Sequence, residues 1–454
     1  MKKLLSLLII SSICLSLMIT NINAIPIRDK QAATDNTGNV LDQYPGKEPA
    51  SAQDYYKIGL TYLANRKPME AGEQFRKALG LDPKHVPSMI GLASSSLQLG
   101  DMDSAVEFSK KAINAQPNSA EVRNAVGEIW MAGVNFPKYQ NEAEARFKEA
   151  ISLDSKFILA HVNLARLYVS RNKVDDAVKE YKTAIGIQPK NPALRQELTL
   201  VYLNTGSLDA AIEEAKKVIE LAPQNPMYHN GLGEVYLRKG QIDQAMGEFQ
   251  QAIKLEPKYA PGYKNIGSIY LMKGQPDKAI EEFNKALTQS PDYGSAHAAM
   301  GNAYLVKGMT QKAAEEYKKA ISENSIRTIS ILELISVYNN LAYIYSEEEG
   351  QNLDSALSYA QKAKQAAPKS PDIADTLGWV HYKKGNYDEA LTNLKNAAEG
   401  SPNNPIIRYH LGLAYYKKKL KDEAVTELKK SLSISDKYKG ADDAKRVLAE
   451  LGAQ

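Results

Sequence analysis

A 34-residue pattern recurs four times without a gap between Pro192 and about Ser325, and it leaves this chain few folds to choose from. Its first copy reads Leu198, Thr199, Tyr202, Ala211, Ala215, Val218 and Pro223. Leu232, Gly233, Tyr236, Ala245, Phe249, Ala252 and Pro257 follow at the same interval, then Ile266, Gly267, Tyr270, Ala279, Phe283, Ala286 and Pro291. Met300, Gly301, Tyr304, Ala313, Tyr317 and Ala320 make the fourth copy. Within a copy, Ile266, Gly267 and Tyr270 share one face of a first helix, and Ala279, Phe283 and Ala286 form one stripe of a second. Glycine and alanine are small where two helix axes must approach, and the aromatic rings fill the space between them. Gly274 suits a left-handed helix end, Asp277 suits the start of the second helix, and Pro291 stops it. One such hairpin cannot bury its apolar face alone, so the hairpins must stack.

An L-G-x-x-Y on one helix, A-x-x-x-F on the next and a closing Pro resemble the tetratricopeptide repeat (TPR) family. The resemblance implies an all-α, right-handed superhelix of about eleven helix-turn-helix repeats closed by a C-terminal capping helix. Carried outward, the register gives Gly59, Tyr62, Ala71, Phe75, Ala78 and Pro83 in repeat 1. Ala93, Ala105, Ala112 and Pro117 hold repeat 2, with Ser96 and Ser109 in place of its aromatics. Repeat 3 keeps Gly127, Trp130, Ala143, Phe147 and Ala150, with four extra residues in the turn over 133–140. Repeat 4 is regular, and the four copies above are repeats 5–8. From Gly301 to Ala342 is 41 residues, so 322–334 carries an excess of seven, to be read as a lengthened rigid helix or a hinge. Repeats 9–11 follow on Ala342, Gly378 and Gly412, and Ala444, Val447, Leu448 and Leu451 mark the cap. The expected division is therefore 52–325 for repeats 1–8, 326–438 for repeats 9–11 and 439–454 for the cap.

Before the repeats, residues 1–24 read as a secretory signal, with Lys2 and Lys3 ahead of an apolar run and Ile22-Asn23-Ala24 as the cleavage site. An uncleaved anchor helix is the alternative. Residues 25–51 are polar and aperiodic, a flexible tether. Cys14, the one cysteine, sits inside the apolar run after Ile13, so disulfide, thiolate and zinc–cysteine chemistry are not expected of the mature chain. The net charge of +4 gives no electrostatic case for nucleic acid, and membrane contact is expected only through an uncleaved signal segment or a partner.

No catalytic motif stands out: there is no P-loop, G-x-S-x-G, H-E-x-x-H or dinucleotide fingerprint. His161, His229 and His297 recur at the fourth position of alternate repeats. Neighbouring helices lie about 8–10 Å apart, far beyond the ~2 Å that a zinc–nitrogen bond needs, so they read as hairpin-packing residues. The recurring Asp103, Asp175, Asp209, Asp243, Asp277, Asp354, Asp388 and Asp422 each precede the second-helix alanine by two residues, a helix-start position. No cofactor, metal or catalytic residue is expected, and the chain is not expected to be an enzyme.

The TPR resemblance places the binding groove on the first helices, chiefly their second, fifth, ninth and twelfth positions. In repeats 9–11 these positions include Asn339, Tyr343, Asp375, Trp379, Tyr382, Tyr409 and Tyr416, the candidate peptide-binding set. Aromatics beside Asn and Asp suit an extended peptide; packing against the cap or a neighbouring repeat is the alternative. The middle repeats offer a Leu203, Leu237, Leu271 and Leu305 ladder instead. The Lys–Asn–Lys/Arg clamp of chaperone-binding TPRs is not reproduced by Lys264 and Asn302. Asn163, Asn265 and Asn340 do not form the regular ladder of the protein O-glycosyl transferases' TPR region.

These features predict a non-enzymatic scaffold, exported to the periplasm or cell envelope of a bacterium, that holds a protein partner or extended peptide during assembly or export of an envelope component. Thr376-Leu377-Gly378-Trp379-Val380 and the segment Tyr409 to Tyr415 resemble C-terminal repeats of exosortase- and polysaccharide-export-associated TPR proteins. The alternative is an accessory or recruitment subunit of an envelope enzyme such as a glycosyl transferase or peptidase.

Overall fold

The computed structural model describes residue 49 and residues 51–132, 137–348 and 352–453. The signal and nearly all of the tether expected over 1–51 lie outside them. The described residues form 23 α-helices, one short 3-10 helix and no strand. Two compact units emerge, residues 21–224 and 225–454, with residues 1–20 outside the description.

In the first unit, repeat 1 pairs α1 (Ala52–Ala64) with α2 (Pro68–Leu81). Repeats 2 to 5 add α3 (Val86–Gln98), α4 (Met102–Ala115), α5 (Ala120–Ala132), α6 (Pro137–Leu153), α7 (Ile158–Ser170), α8 (Val174–Ile187), α9 (Pro192–Asn204) and α10 (Leu208–Leu221). The second unit holds α11 (Pro226–Arg238), α12 (Ile242–Leu255), α13 (Ala260–Met272), α14 (Pro276–Gln289), α15 (Gly294–Val306) and α16 (Thr310–Ala320) as repeats 6 to 8. Repeats 9 to 11 are α17 (Ile331–Glu347), α18 (Leu353–Ala366), α19 (Pro371–Lys383), α20 (Tyr387–Gly400), α21 (Pro405–Lys417) and α22 (Lys421–Ile434), and α23 (Ala441–Glu450) is the cap. Inside each unit the two helices of a hairpin pack on each other, and first helices also touch the first helix of the next repeat.

The repeat residues do what their sizes dictate. Phe75, Phe147, Phe249 and Phe283 are fully buried, as are the alanines on either side of them. A Cβ on Gly267 would stand 2.6 Å from the Phe283 ring, so the ring occupies the room that glycine leaves. Gly274 ends α13 at φ +71°, the left-handed conformation expected of it. Arg66, Asn172 and Lys419 take the same conformation without being glycine, at φ of 57–59°.

Two departures from the regular repeat have structure of their own. α6 runs 17 residues where most second helices run 14, so part of the repeat 3 excess is helical, while 133–136 lie outside the described residues. The excess over 322–334 becomes a 3-10 turn at Ser325–Thr328 and a lengthened first helix, α17. Ser330 caps α17 through a reciprocal capping box with Glu333. Thr328 accepts from the Gly294 backbone N–H at 2.7 Å and donates to the Asp292 carbonyl at 2.8 Å, so the inserted segment is sewn to the start of α15.

Candidate functional site

The fourth position of the first helix recurs as a clasp within the hairpin. His161 Nδ1 meets Glu180 at 2.6 Å, Arg195 meets Glu214 at 2.8 Å, and His229 meets Glu248 at 2.8 Å. His297 with Glu316 and Arg408 with Glu427 repeat it, each carboxylate nineteen residues on in the second helix. The same side chains reach back across the preceding turn: His161 Nε2 lies 3.1 Å from the Ser155 carbonyl, and Arg408 Nε donates to that of Pro402. His161 thus sits between two acceptors, which only the doubly protonated ring satisfies fully. The Glu180 bond accordingly holds its pKa above the usual histidine value against the opposing effect of burial. These rings serve the hairpin, in agreement with the packing role expected of them. No group of three or more metal-ligating side chains lies together among the described residues.

Where repeat meets repeat, amides and carboxylates replace aliphatic contact. Asn163 donates to Asn124 and Glu128, and Asn265 donates to Asn230 and Glu234. Asn340 donates to the Tyr317 hydroxyl, which donates to Asn302. The three asparagines do not form a continuous ladder, but each ties its repeat to the one before. Burial raises the Glu234 pKa against the pull of Lys264 and the two amides. Lys264 in turn faces Glu333 at 3.5 Å, and Glu333 also accepts from Ser295 at 2.7 Å. One carboxylate of the inserted segment therefore joins repeats 7, 8 and 9.

The recurring aspartates are placed at the start of second helices as expected, and several have a further partner. Lys273, Lys307, Lys384 and Lys418, just past the end of a first helix, pair with Asp243, Asp277, Asp354 and Asp388 of the preceding repeat. Those carboxylates are largely exposed, so each pair contributes little stability.

The seven candidate residues of repeats 9–11 divide into three sets. Trp379 and Tyr409 are 7% and 8% exposed and belong to one apolar cluster with Leu413, Leu428, Ala444, Val447 and Leu448 of the cap region. Trp379 is stacked between Tyr382 at 4.9 Å and His410 at 4.0 Å, and its indole Nε1 donates to Glu347 at 2.9 Å. Tyr409 donates to Asp443 and Tyr416 to Glu450, both on α23. Burial pushes the Tyr382 hydroxyl up to about 12. The aromatics of repeats 10 and 11 are thus engaged in mounting the cap.

Asp375 meets His410 Nδ1 at 2.9 Å, again between repeats, and Asn339 Oδ1 is buried without a hydrogen-bond partner. Tyr343 is the candidate left open, 37% exposed. Lys439, from the loop before α23, donates to its hydroxyl at 3.1 Å and to Glu347 Oε2 at 2.5 Å. Lys383 lies 3.4 Å from Glu347 as well. Burial pushes Glu347 up, but the bonds from Lys439 and Trp379 and the charge of Lys383 outweigh it and hold the carboxyl at about 2. Neither Glu347 nor Lys439 was among the residues expected at the site. For Glu347 the available signal was its place at the head of the Glu347-Glu348-Glu349 run, one position past the twelfth; nothing local links residues 92 apart in the chain.

Sequence models described as "TPR repeat" match residues 235–274, 267–308 and 378–419, and models described as "Tetratricopeptide repeat" match 62–129, 141–196, 172–235 and 406–438. The chain belongs to the tetratricopeptide repeat family. TPR folds generally serve as scaffolds that bind protein partners. One curated relative, the human protein O-mannosyl-transferase TMTC3, is 31% identical over 122 residues, 26% of this chain but 13% of that protein's length. Among solved structures, the Cut9-Hcn1 hetero-tetramer of the APC/C is similar at TM-score 0.46 and 16% identity, covering 88% of this chain and 90% of the other. A TPR protein from Parabacteroides merdae is similar at TM-score 0.42 and 21% identity, over 55% of this chain and 98% of the other. MamA is similar at TM-score 0.31 and 26% identity, over 38% and 94%.

Proposed function

We propose that this TPR protein is a non-enzymatic scaffold of the bacterial cell envelope that holds a partner polypeptide on its first-helix face while an envelope component is assembled or exported. The observation that carries this reading is how the ionisable groups are employed. Four of the six histidines face a carboxylate of their own or a neighbouring repeat, and the half-buried Lys264, Glu234 and Glu333 face one another across repeats 6 to 9. Such groups join hairpins, which leaves surface recognition as the work of the chain. Export rests on the sequence of residues 1–24 alone. No helix among the described residues is long and apolar enough to cross a membrane.

Affinity purification of the chain without residues 1–24 from envelope fractions, followed by mass spectrometry, tests the reading. A partner recovered in near-equal amount, and weakened by Tyr343→Ala, is the expected result. Turnover of a substrate by the purified chain with no companion would overturn it. A second reading, an accessory subunit that recruits substrate to a glycosyl transferase, draws on the local similarity to the O-mannosyl-transferase. Co-purification of an active transferase would favour it.

A further inference from the structure

The open end of the first-helix face in repeats 9 and 10 already holds a lysine of the chain itself. Lys439 lies with its ammonium 5.4 Å from the centre of the Tyr343 ring, bonded to the Tyr343 hydroxyl and to Glu347. Its receptor is built from three sides. Glu347 supplies the charge, Tyr343 supplies a hydroxyl acceptor at 3.1 Å, and the Trp379 indole fixes the second carboxylate oxygen at 2.9 Å. Asp375 adds to the field felt at Tyr343. An ammonium held by a carboxylate through a charge-assisted hydrogen bond and by a phenolic hydroxyl is chemistry suited to recognising a lysine side chain.

The occupant is held loosely. The Lys439 side chain is 69% exposed, so its ion pair contributes little and is screened by salt. Lys439 lies in the non-helical stretch ahead of α23, while the cap itself is anchored elsewhere, by Val447 and Leu448 in the core and by the bonds of Tyr409 to Asp443 and Tyr416 to Glu450. Lys439 can therefore leave without dislodging the cap.

We propose that Tyr343, Glu347 and Trp379 form a pocket for a lysine side chain on an extended segment of the partner protein, and that Lys439 fills the pocket until that segment displaces it. This rests on the scaffold reading and names the partner's chemistry at one point of the surface. The chain has two tryptophans, so the indole N–H resonance of Trp379 is a reporter inside the pocket and that of Trp130 a control in the other unit.

The probe is an acetylated, amidated Ala-Ala-Lys-Ala-Ala peptide, titrated against chain carrying nitrogen-labelled tryptophan. In Lys439→Ala the Trp379 signal should shift with a midpoint about threefold lower than in the unmodified chain, since an exposed pair is worth about 0.2–1 kcal/mol. The norleucine version of the peptide should leave it in place, and Glu347→Gln, which retains an acceptor for the indole, should abolish the shift. A Trp379 signal that ignores the peptide in Lys439→Ala, that moves equally with norleucine, or that survives Glu347→Gln overturns the proposal. If a partner is recovered from envelope fractions and Glu347→Gln leaves its affinity unchanged, the lysine pocket falls and the scaffold stands. If the peptide titrates as described but no partner is recovered, the pocket stands and the scaffold reading falls.

Discussion

At the scale of single residues, the same amino acid carries opposite consequences at different repeat positions. Gly267 meets the Phe283 ring where a Cβ would go, whereas Gly247 in α12 has no atom within 4 Å of such a Cβ. Gly267→Ala should therefore destabilise the second unit by about 1–3 kcal/mol through overpacking. Gly247→Ala should stabilise it by about 0.5–1 kcal/mol by reducing backbone freedom in the unfolded chain. Urea denaturation of both variants checks the pair of signs. His161 gives a pH signature. Its pKa is raised in the folded state by Glu180, so its contribution is fully present below the ordinary histidine value of about 6.5 and is lost as pH rises through the folded pKa. The stability difference between the unmodified chain and His161→Gln should shrink as pH rises from 6 to 8, with a proton-NMR titration of the ring placing its midpoint above 6.5.

At the scale of elements, repetition predicts each hairpin, while the breaks in repetition are where particular contacts take over. The excess over 322–334 was open to two readings, and the structure holds the lengthened helix. Its capping box and the four bonds that converge on Glu333 supply the physical reason, because a helix start tied to repeats 7 and 8 cannot swing freely. Removing Glu333 strips Lys264 of its ion-pair partner, leaving only Glu234 near it, and α17 of its box at once. Glu333→Ala should cost about 2–4 kcal/mol, against about 1 kcal/mol for Ser330→Ala, which removes the cap alone. Equal losses in chemical denaturation would show that Lys264 draws nothing from the pair.

At the scale of the whole molecule, stability in a repeat array is a sum of hairpins and their interfaces, and an uncovered terminal hairpin is the weak point. The cap helix α23 covers the cluster that contains Trp379 and Tyr409. A chain ending at residue 435 should show red-shifted Trp379 emission and a lower first transition in urea. Trp130 lies in the unit of residues 21–224, and its emission, isolated in a Trp379→Phe background, should keep the midpoint of the intact chain. This is also why a Trp379→Ala and Tyr382→Ala double variant is a poor probe of partner binding: it would disturb the cap before it reported on a groove.

The repeat spacing by itself determined the hairpins, their register from Gly59 to Gly412, the all-α class and the family, because size and periodicity along a short stretch of chain decide whether two helices can lie together. Even the histidine clasp was legible to that extent, since its partner lies in the same hairpin. Only the tertiary structure decided which first-helix aromatics were engaged by the cap and which were left open. Trp379, Tyr409 and Tyr416 occupy groove positions by number, yet their neighbours come from α23 and the adjoining repeats. Lys439 reaches Tyr343 across 96 positions of sequence. Pairings of that separation follow from how successive hairpins curve onto one another, a property of accumulated packing angles that no local pattern records.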